Sequence, residues 1–443
     1  MTFHIITFGC QMNVADSEWL ANILKARGLK QVATAAEADI ILLNTCSVRE
    51  KPELKVRSAL GRIQQETGGR LNVLVGVAGC VAQQLGTTLF SYSPQVRLVA
   101  GTDQIAAIPD AIKLLVQEPS RTLCLTGFTE GYHERPAAQG ETSPGAFVNI
   151  MQGCDNFCTY CIVPFTRGRQ KSRSAKAILA ECEAALKNGA REITLLGQNV
   201  NAYGKDKSGD GTSFFSLLKQ VSALDPSMRL RYVTPHPKDM TEEDIEAFAL
   251  LPNLCPRLHL PMQAGSDKVL KRMNRRYDSA GFLKLVSGLR RARPDLALST
   301  DLIVGFPGET EEDFLQTLSM TEQCGFMSSY SFCYSDRPGT RASTYLDKIA
   351  PEIQLDRLQR LQALQDRLTA SWLNARAGQT TEVLIEQQSP RQNEAGYVSW
   401  QGRDPYGALI HLSLPADAGN ATGREMPVKI TSAFKHSLHA ELL

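Results

Sequence analysis

The first part of the chain alternates short apolar runs with stretches whose apolar residues recur at helical spacing. The strand-like runs are FHIITFG (3–9), ADIILLNTC (38–46), LNVLVGVAGC (71–80) and VRLVAG (96–101). Helical patterns cover residues 15–28, about 46–63 and 105–116. Strands that alternate with helices predict a doubly wound parallel sheet over residues 1–126.

A second alternating region follows a polar stretch rich in Gly and Pro at 127–145, which we interpret as a linker. Its strand-like runs are at 146–151, 192–197, 230–234, 257–261, 296–305 and 329–334. Six βα units predict a partial or full (β/α) barrel over residues 146–376, with the functional loops after the strands. A long amphipathic helix at 351–378 carries an apolar stripe that we interpret as packing: Leu358, Leu361, Leu364, Leu368 and Trp372.

The last part, residues 377–443, changes to short β-rich runs joined by turn residues. These runs are TEVLIEQ, AGYVSWQ, ALIHLSL and MPVKITSAF. They predict a small antiparallel barrel, a shape often used to hold nucleic acid.

Composition places the chain among soluble globular proteins of more than one domain. It has 443 residues, 43% of them apolar and 21% charged. It has no run of about 18 apolar residues and no basic segment at the start, so we expect neither a membrane span nor a secretory signal. The expected location is the cytoplasm, where clustered cysteines indicate metal binding or catalysis more than disulfides.

Three cysteines, Cys10, Cys46 and Cys80, each follow the end of a predicted strand. The carboxyl ends of parallel strands lie along one edge of a sheet, where such sheets bind ligands. A shared metal site is therefore favoured over the alternative that the three are small buried core residues.

A second set, Cys154, Cys158 and Cys161, has the spacing CxxxCxxC in a loop after the first strand of the central region. A closed zinc site takes four ligands, and a 4Fe–4S cluster is normally held by four thiolates. Three thiolates leave one iron open to bind something else, and an open coordination position is where chemistry takes place.

Several motifs make the chain resemble the radical S-adenosylmethionine (SAM) methylthiotransferases over essentially its whole length. They are GCQMNVADSE (9–18), LNTCSVRE (43–50), GCVAQQ (79–84), GCDNFCTYCIVPFTRGR (153–169), LLGQNVNAYG (195–204), HLPMQAGS (259–266) and VGFPGETEEDF (304–314). Gln11, Met12 and Asn13 after the first cysteine are most similar to the branch that converts N6-isopentenyladenosine beside the tRNA anticodon to its 2-methylthio form.

The resemblance implies two 4Fe–4S clusters and SAM as cofactors. Cys154, Cys158 and Cys161 would hold the cluster that binds SAM, and Cys10, Cys46 and Cys80 an auxiliary cluster that carries the transferred sulfur. One SAM would donate a methyl group and a second would be the radical source. Residues expected near SAM are Tyr160, Gln198, Asn199, Gln263, Ser266 and Asp301. The alternative for each is capping or turn formation; Ser266, for example, precedes DKVLKRM as a good helix N-cap.

The implied partners are a tRNA anticodon stem-loop, a low-potential electron donor such as flavodoxin or ferredoxin, and a sulfur donor. Basic residues expected to contact phosphates are Arg167, Arg169, Lys171 and Arg173 after the cysteine loop, and Arg275 and Arg276 in the basic stretch 257–293. The alternative is that these charges are solvated helix faces. The C-terminal region resembles the TRAM RNA-binding domain, yet it holds five Lys and Arg against seven Asp and Glu, a net charge of −2.

Other functions remain open at this stage. The chain could act on threonylcarbamoyl-adenosine in tRNA or on an aspartate of a ribosomal protein. It could also be a non-enzymatic RNA-binding protein with structural zinc at both cysteine sets. The remaining cysteines, Cys124, Cys182, Cys255, Cys324 and Cys333, have no motif context and are expected to be core residues.

Overall fold

The computed structural model of the protein describes residues 1–47, 52–134, 143–390 and 396–443. Residues 135–142 of the predicted linker and 48–50 of the LNTCSVRE motif lie outside the described residues. In the described segments, no helix combines the length and the apolar character needed to cross a membrane.

The N-terminal region is a six-stranded, all-parallel sheet with strand order β2-β1-β3-β4-β5-β6. Its elements are β1 (Thr2–Thr7), α1 (Gln11–Ala26), β2 (Lys30–Gln31), β3 (Ile40–Thr45), α2 (Pro52–Glu66), β4 (Leu74–Gly79), α3 (Cys80–Leu85), β5 (Val96–Ala100), α4 (Ile108–Gln117) and β6 (Leu123–Leu125). The predicted doubly wound sheet is confirmed. Helix α1 begins four residues before its predicted start, because Met12 and Asn13 are buried by tertiary contacts that a local pattern does not reveal.

The central region forms two parallel sheets of three strands, ordered β11-β10-β7 and β12-β13-β14. Its elements are β7 (Gly145–Asn149), β8 (Met151–Gln152), α5 (Val163–Thr166), β9 (Lys171–Ser172), α6 (Ala175–Lys187), β10 (Glu192–Leu196), α7 (Phe214–Ser222), β11 (Arg229–Tyr232), α8 (Glu242–Leu250), β12 (Arg257–His259), α9 (Asp267–Arg272), α10 (Ser279–Ala292), β13 (Ala297–Val304), α11 (Glu311–Cys324), β14 (Ser328–Cys333) and α12 (Pro351–Asn374).

The two central sheets form a partial barrel. A single parallel bridge between Leu230 and Leu254 joins their edges, and no pairing of β7 with β14 occurs in the described part of the chain. One continuous apolar core lies between the strands and the surrounding helices, and Leu361 of α12 is buried in it. Leu358 of the predicted stripe also packs against this core, whereas Trp372 packs against the core of the C-terminal barrel.

The C-terminal region is a closed five-stranded barrel with order β15-β16-β17-β19-β18. Its strands are β15 (Thr380–Gln388), β16 (Tyr397–Arg403), β17 (Leu409–Pro415), β18 (Glu425–Ala433) and β19 (Leu438–Leu442). The barrel is confirmed, with two differences from the sequence analysis. Strand β19 lies beyond the four predicted runs, and it pairs parallel to β17.

The C-terminal barrel is fixed to the amino-terminal edge of the central sheets. Arg229, at the start of β11, donates to the carbonyl of Arg403 at 2.7 Å and forms an ion pair with Glu425 at 2.6 Å. Arg257, at the start of β12, donates to the carbonyl of Gly407 at 3.4 Å. Functional loops of such sheets follow the strands, so the barrel is bound at the edge opposite the cysteine loops.

Candidate iron–sulfur sites

The N-terminal cysteines lie at the ends of three neighbouring strands of the sheet. Cys46 and Cys80 directly follow β3 and β4, and Cys10 caps α1 just after β1. Gly9 and Gly79 permit this close approach, with φ of +135° and +88°. A Cβ on Gly9 would lie 2.4 Å from Cβ of Cys46. The strand ends can therefore converge only with glycine at these positions.

Two buried asparagines hold the ends of β1 and β3 together. Nδ2 of Asn13 donates to Oδ1 of Asn44 at 3.0 Å, and Nδ2 of Asn44 donates to the carbonyl of Asn13 at 2.9 Å. Oδ1 of Asn13 lies 3.2 Å from the sulfur of Cys10. Sequence analysis missed this role. The sequence does indicate this role, because the two amides lie in segments whose other residues are patterned for burial.

The electrostatics of this triad favour a thiolate. A hydrogen bond with Cys46, and then the positive charge of Arg167, lower the pKa of Cys10 from 9.0 to about 6 against the opposing effect of burial. Thiolate is the form of cysteine that binds metals. The Nη1 group of Arg167, whose charge acts on both Cys10 and Cys80, is buried and has no hydrogen-bond partner within the described part of the chain. Thiolate donors beside an unsatisfied cationic donor fit an anionic iron–sulfur group.

The second triad lies on the loop between β8 and α5. Gly153, with φ of +79°, lets the loop close, because a Cβ there would lie 2.1 Å from the carbonyl oxygen of Arg169. Burial, together with the charge of Cys158, raises the pKa of Cys154 to about 11 and that of Cys161 to about 12. Each of these two thiols must lose a proton to become a metal ligand.

Arg275 and His236 surround the third thiol of this loop. Nη1 of Arg275 lies 3.5 Å from the sulfur of Cys158 and 3.4 Å from the hydroxyl of Tyr160, and Nη2 donates to the carbonyl of Pro261 at 2.9 Å. Nε2 of His236 lies 4.0 Å from the same sulfur. Burial, together with the charge of Arg275, lowers the pKa of His236 to about 2, so its ring is neutral. Sequence analysis did not single out His236, which belongs to no recognised spacing.

Gln198 and Asn199, expected near SAM, lie just beyond β10 beside the cysteine loop. Oε1 of Gln198 accepts from the backbone N–H of Gly153 at 2.6 Å, and Nε2 contacts the sulfur of Met12. Nδ2 of Asn199 donates to Asp239 at 2.8 Å, while its buried Oδ1 accepts no hydrogen bond from any residue that the structure describes. Gln198 therefore links the loop to helix α1, and Asn199 retains a free acceptor.

The remaining residues expected near SAM lie after β12, on β13 and, for Tyr160, in the cysteine loop itself. The Ser266 hydroxyl donates to Asp313 at 2.6 Å and caps α9, as the alternative interpretation predicted. Gln263 has a φ of +70° and pairs with Leu302. Asp301 lies 3.2 Å from Nε2 of His259. Tyr160 packs against an apolar cluster that includes Phe306 and Tyr334.

Four of the six basic residues expected to contact RNA are buried. Arg167 pairs with Asp16, Lys171 with Asp103, Arg173 with Glu181 and Glu134, and Arg275 has the contacts given above. Buried side chains in such pairs do not present their charge to a phosphate. Arg169, whose side chain is 72% exposed beside Asp155, and Arg276 are exposed. Of the basic run after the cysteine loop, Arg167 and Lys171 therefore bind the N-terminal region, and Arg173 binds Glu181 of α6 and Glu134 of the linker.

Both cysteine triads lie next to the contact between the N-terminal and central regions. Helix α3, which begins at Cys80, packs against α5, which begins two residues after Cys161. Cys10, Phe147 of β7 and Val233 beyond β11 all pack against one small apolar cluster of Met12, Ala15 and Leu196. In the described ranges, no three His, Cys, Asp or Glu side chains are grouped so that they could hold a single metal ion.

Comparisons with known proteins agree with this arrangement. Residues 2–101 match the model described as uncharacterized protein family UPF0004, and residues 148–321 match the radical SAM superfamily. A tRNA-2-methylthio-N(6)-dimethylallyladenosine synthase of Nitratidesulfovibrio vulgaris (strain DP4) is 58% identical, over 99% of this chain and 98% of the relative. A synthase of the same name from Lawsonia intracellularis is 51% identical, over 100% of this chain and 98% of the relative.

Among solved structures, the fold is similar to the radical S-adenosylmethionine methyltransferase TsrM from Kitasatospora setae, which was solved with cobalamin and a [4Fe-4S] cluster. The TM-score is 0.59 at 14% identity, over 77% of each chain. This likeness concerns the fold alone. The full-length relatives decide the family: the chain belongs to the tRNA-2-methylthio-N(6)-dimethylallyladenosine synthases of the radical SAM superfamily.

Proposed function

We propose that this protein adds a methylthio group to C2 of N6-isopentenyladenosine next to the anticodon of tRNA. The observation that carries the proposal is the position of two cysteine triads, each after a strand and each next to the same contact between two regions. The relatives that match the whole chain are named for this reaction. An adenine C–H bond resists any side-chain base, so the task requires a radical from a cofactor.

Each triad has its own role. Cys154, Cys158 and Cys161 hold the 4Fe–4S cluster whose open iron binds SAM, and Cys10, Cys46 and Cys80 hold the auxiliary 4Fe–4S cluster. When bound, the clusters and two SAM molecules supply the electron, the radical, the sulfur and the methyl group. SAM lies among the residues of the carboxyl edge, which are Tyr160, Gln198, Asn199, Gln263, Ser266 and Asp301.

The chain itself positions these groups and excludes water. Arg275 and neutral His236 fix the sulfur of Cys158, and Arg275 ties it to the end of β12 through Pro261. Asn13 and Asn44 hold the strand ends that carry Cys10 and Cys46. Gln198 joins the SAM loop to α1, which begins at the auxiliary triad. The two sites are thereby held at a fixed separation, which a reaction that uses both requires.

Solvent exposure decides which of the six basic residues contact tRNA. Arg169 and Arg276 border the cysteine loop, are exposed, and contact phosphates of the anticodon stem-loop. Arg167, Lys171, Arg173 and Arg275 support the protein structure instead. The target base leaves its stack to reach the two cysteine sites, as a single-stranded loop base can.

The remaining assignments follow from this function. A low-potential donor such as flavodoxin or ferredoxin supplies electrons, a separate donor restores the sulfur, and the enzyme acts on tRNA in the cytoplasm. The functional domains are residues 1–126 with the auxiliary cluster, 146–376 as the radical SAM core and 377–443 as a TRAM-like domain, with 127–145 as a linker.

Mass spectrometry of tRNA nucleosides tests the proposal. A strain that lacks the gene should accumulate isopentenyladenosine without its methylthio form. The wild-type gene and Cys182→Ala, a buried core cysteine of α6, should restore the product, whereas Cys154→Ala should not. An unchanged nucleoside profile in the deletion strain would overturn the proposal. A change confined to threonylcarbamoyl-adenosine, or to an aspartate of a ribosomal protein, would identify the other branches.

A further inference from the structure

The segment that follows the SAM loop is embedded in the N-terminal region. The hydroxyl of Thr102 donates to the carbonyl of Thr166 at 2.7 Å, and Lys171 forms an ion pair with Asp103. Between these two contacts, Arg167 reaches helix α1. The chain that leaves one cysteine triad therefore passes directly beside the other.

Arg167 forms a buried ion pair at this point. Its Nη2 lies 3.0 Å from Oδ2 of Asp16, and the two side chains are 4% and 1% exposed. Asn149 of β7 donates to the other carboxylate oxygen at 3.4 Å. The carboxylate is thus fixed from both regions, and it holds one edge of the guanidinium.

The other edge of the guanidinium has an unused donor. Nη1 is buried and has no hydrogen-bond partner among the described residues. A buried donor without a partner costs free energy, and more so when it is charged, so such groups usually meet a ligand. Although burial opposes the charge, Cys80, Asp16 and Cys10 hold the pKa of Arg167 well above its usual value. The charged guanidinium follows the last residue of α5 and pairs with Asp16 of α1, and α5 packs against α3, the helix that begins at Cys80.

We propose that Arg167 is a positioning residue that donates a hydrogen bond from Nη1 to an anionic sulfur of the group bound by Cys10, Cys46 and Cys80, with Asp16 as its counter-charge. This inference rests on the proposed function, since it requires the auxiliary cluster. Arg167 belongs to the motif of the SAM loop in sequence, but it acts at the auxiliary site. Because Arg167 lies six residues after Cys161, it also couples the position of the SAM loop to the auxiliary site.

The charges of Arg167 and Asp16 should shift the reduction potential of the auxiliary cluster in opposite directions. Hydrogen bonds to sulfur and net charge set the reduction potential of iron–sulfur clusters. Loss of the cation in Arg167→Met should make reduction about tenfold less favourable, which lowers the potential by about 59 mV for a one-electron couple. Loss of the anion in Asp16→Asn should raise the potential. Arg167→Lys, which keeps the charge but not the forked geometry, should lie between wild type and Arg167→Met.

The experiment uses the full chain with Cys154, Cys158 and Cys161 replaced by Ala. The auxiliary cluster is then the only source of iron, sulfide and the paramagnetic signal. Iron and acid-labile sulfide are measured first, and the potential is then followed by electron paramagnetic resonance. Arg27→Met, at an exposed arginine that follows α1 and pairs with Asp110, is the control and should change the reduction equilibrium less than twofold. Opposite shifts for Arg167→Met and Asp16→Asn support the inference.

Shifts in the same direction, or less than twofold changes for both variants at full iron content, overturn it. If Arg167→Met does not retain iron, Arg167→Lys and Asp16→Asn decide by the same criterion. A background chain without any iron would instead overturn the two-cluster assignment, and the inference with it.

Discussion

Arg275 lies 3.5 Å from the sulfur of Cys158, although the two residues are 117 positions apart in the chain. The guanidinium is buried and also contacts Tyr160, Tyr277 and the carbonyl of Pro261. Its neighbour Arg276, with a φ of +57°, is exposed. Two adjacent arginines therefore have different surroundings, and substitutions at the two positions should have different effects.

Replacing Arg275 should impair the SAM cluster. In Arg275→Met, the Pro261 carbonyl and the Tyr160 hydroxyl lose the hydrogen bonds donated by the guanidinium, and Cys158 loses its cationic neighbour. Misplacement of this kind costs on the order of 100-fold in rate, so formation of 5′-deoxyadenosine from SAM should fall by that factor. Arg276→Met is the matched control and should leave SAM cleavage unchanged in the absence of tRNA. Equal SAM cleavage by both variants would contradict the role of Arg275.

Charge reversal at Arg169 and Arg276 should weaken tRNA binding and reduce its salt dependence. Log K falls as log salt rises, and each lost phosphate contact makes this slope shallower by about one unit. Arg291→Glu is the control, because this exposed residue lies in the last turn of α10, at the amino-terminal edge of the sheets. Binding titrations at several salt concentrations measure the slope. A slope that changes only with Arg291→Glu would place the tRNA on the other side of the molecule.

The C-terminal barrel should contribute to the stability of the catalytic region. Arg229 is a buried partner of Glu425 and donates to two barrel carbonyls, so Arg229→Met should destabilise the protein by about 3 kcal/mol. Lys429→Met, at an exposed position of the barrel, should change stability by less than about 0.5 kcal/mol. Denaturant unfolding measures both. Equal unfolding midpoints for the two variants would show that the barrel is only loosely attached.

The cysteines of the metal-free chain should differ in their reaction with iodoacetamide. Cys10 has a folded-state pKa of about 6, lowered mainly by Cys46, so its thiolate should persist down to that pH. Its contribution to stability is full above pH 9.0 and is lost as the pH falls towards 6. Burial keeps Cys154 and Cys161 protonated until about pH 11 and 12. Peptide mapping after alkylation at pH 5 to 9 should therefore show Cys10 labelled first; preferential labelling of Cys161 at pH 7 would contradict this.

Local sequence patterns were sufficient to predict the strands of the N-terminal sheet and the edge at which they end. Cys46 and Cys80 could be placed at one edge because carboxyl ends of parallel strands always share an edge. Arg167 and Arg275 could not be placed correctly, since a run of basic residues resembles an exposed strip until the tertiary partners Asp16 and Cys158 are known. Strand β19 was missed because its short LHAEL pattern gains its partners only by closing the barrel.

The most direct test of the two-cluster account is an anaerobic reaction with the Cys10/Cys46/Cys80→Ala chain, SAM, a reductant and tRNA that carries isopentenyladenosine. Mass spectrometry quantifies 5′-deoxyadenosine and the methylthio nucleoside in the same sample. The account predicts that the variant still cleaves SAM and forms no methylthio product, while the Cys154/Cys158/Cys161→Ala chain does neither. Methylthio product from the chain without its N-terminal cysteines would contradict the account.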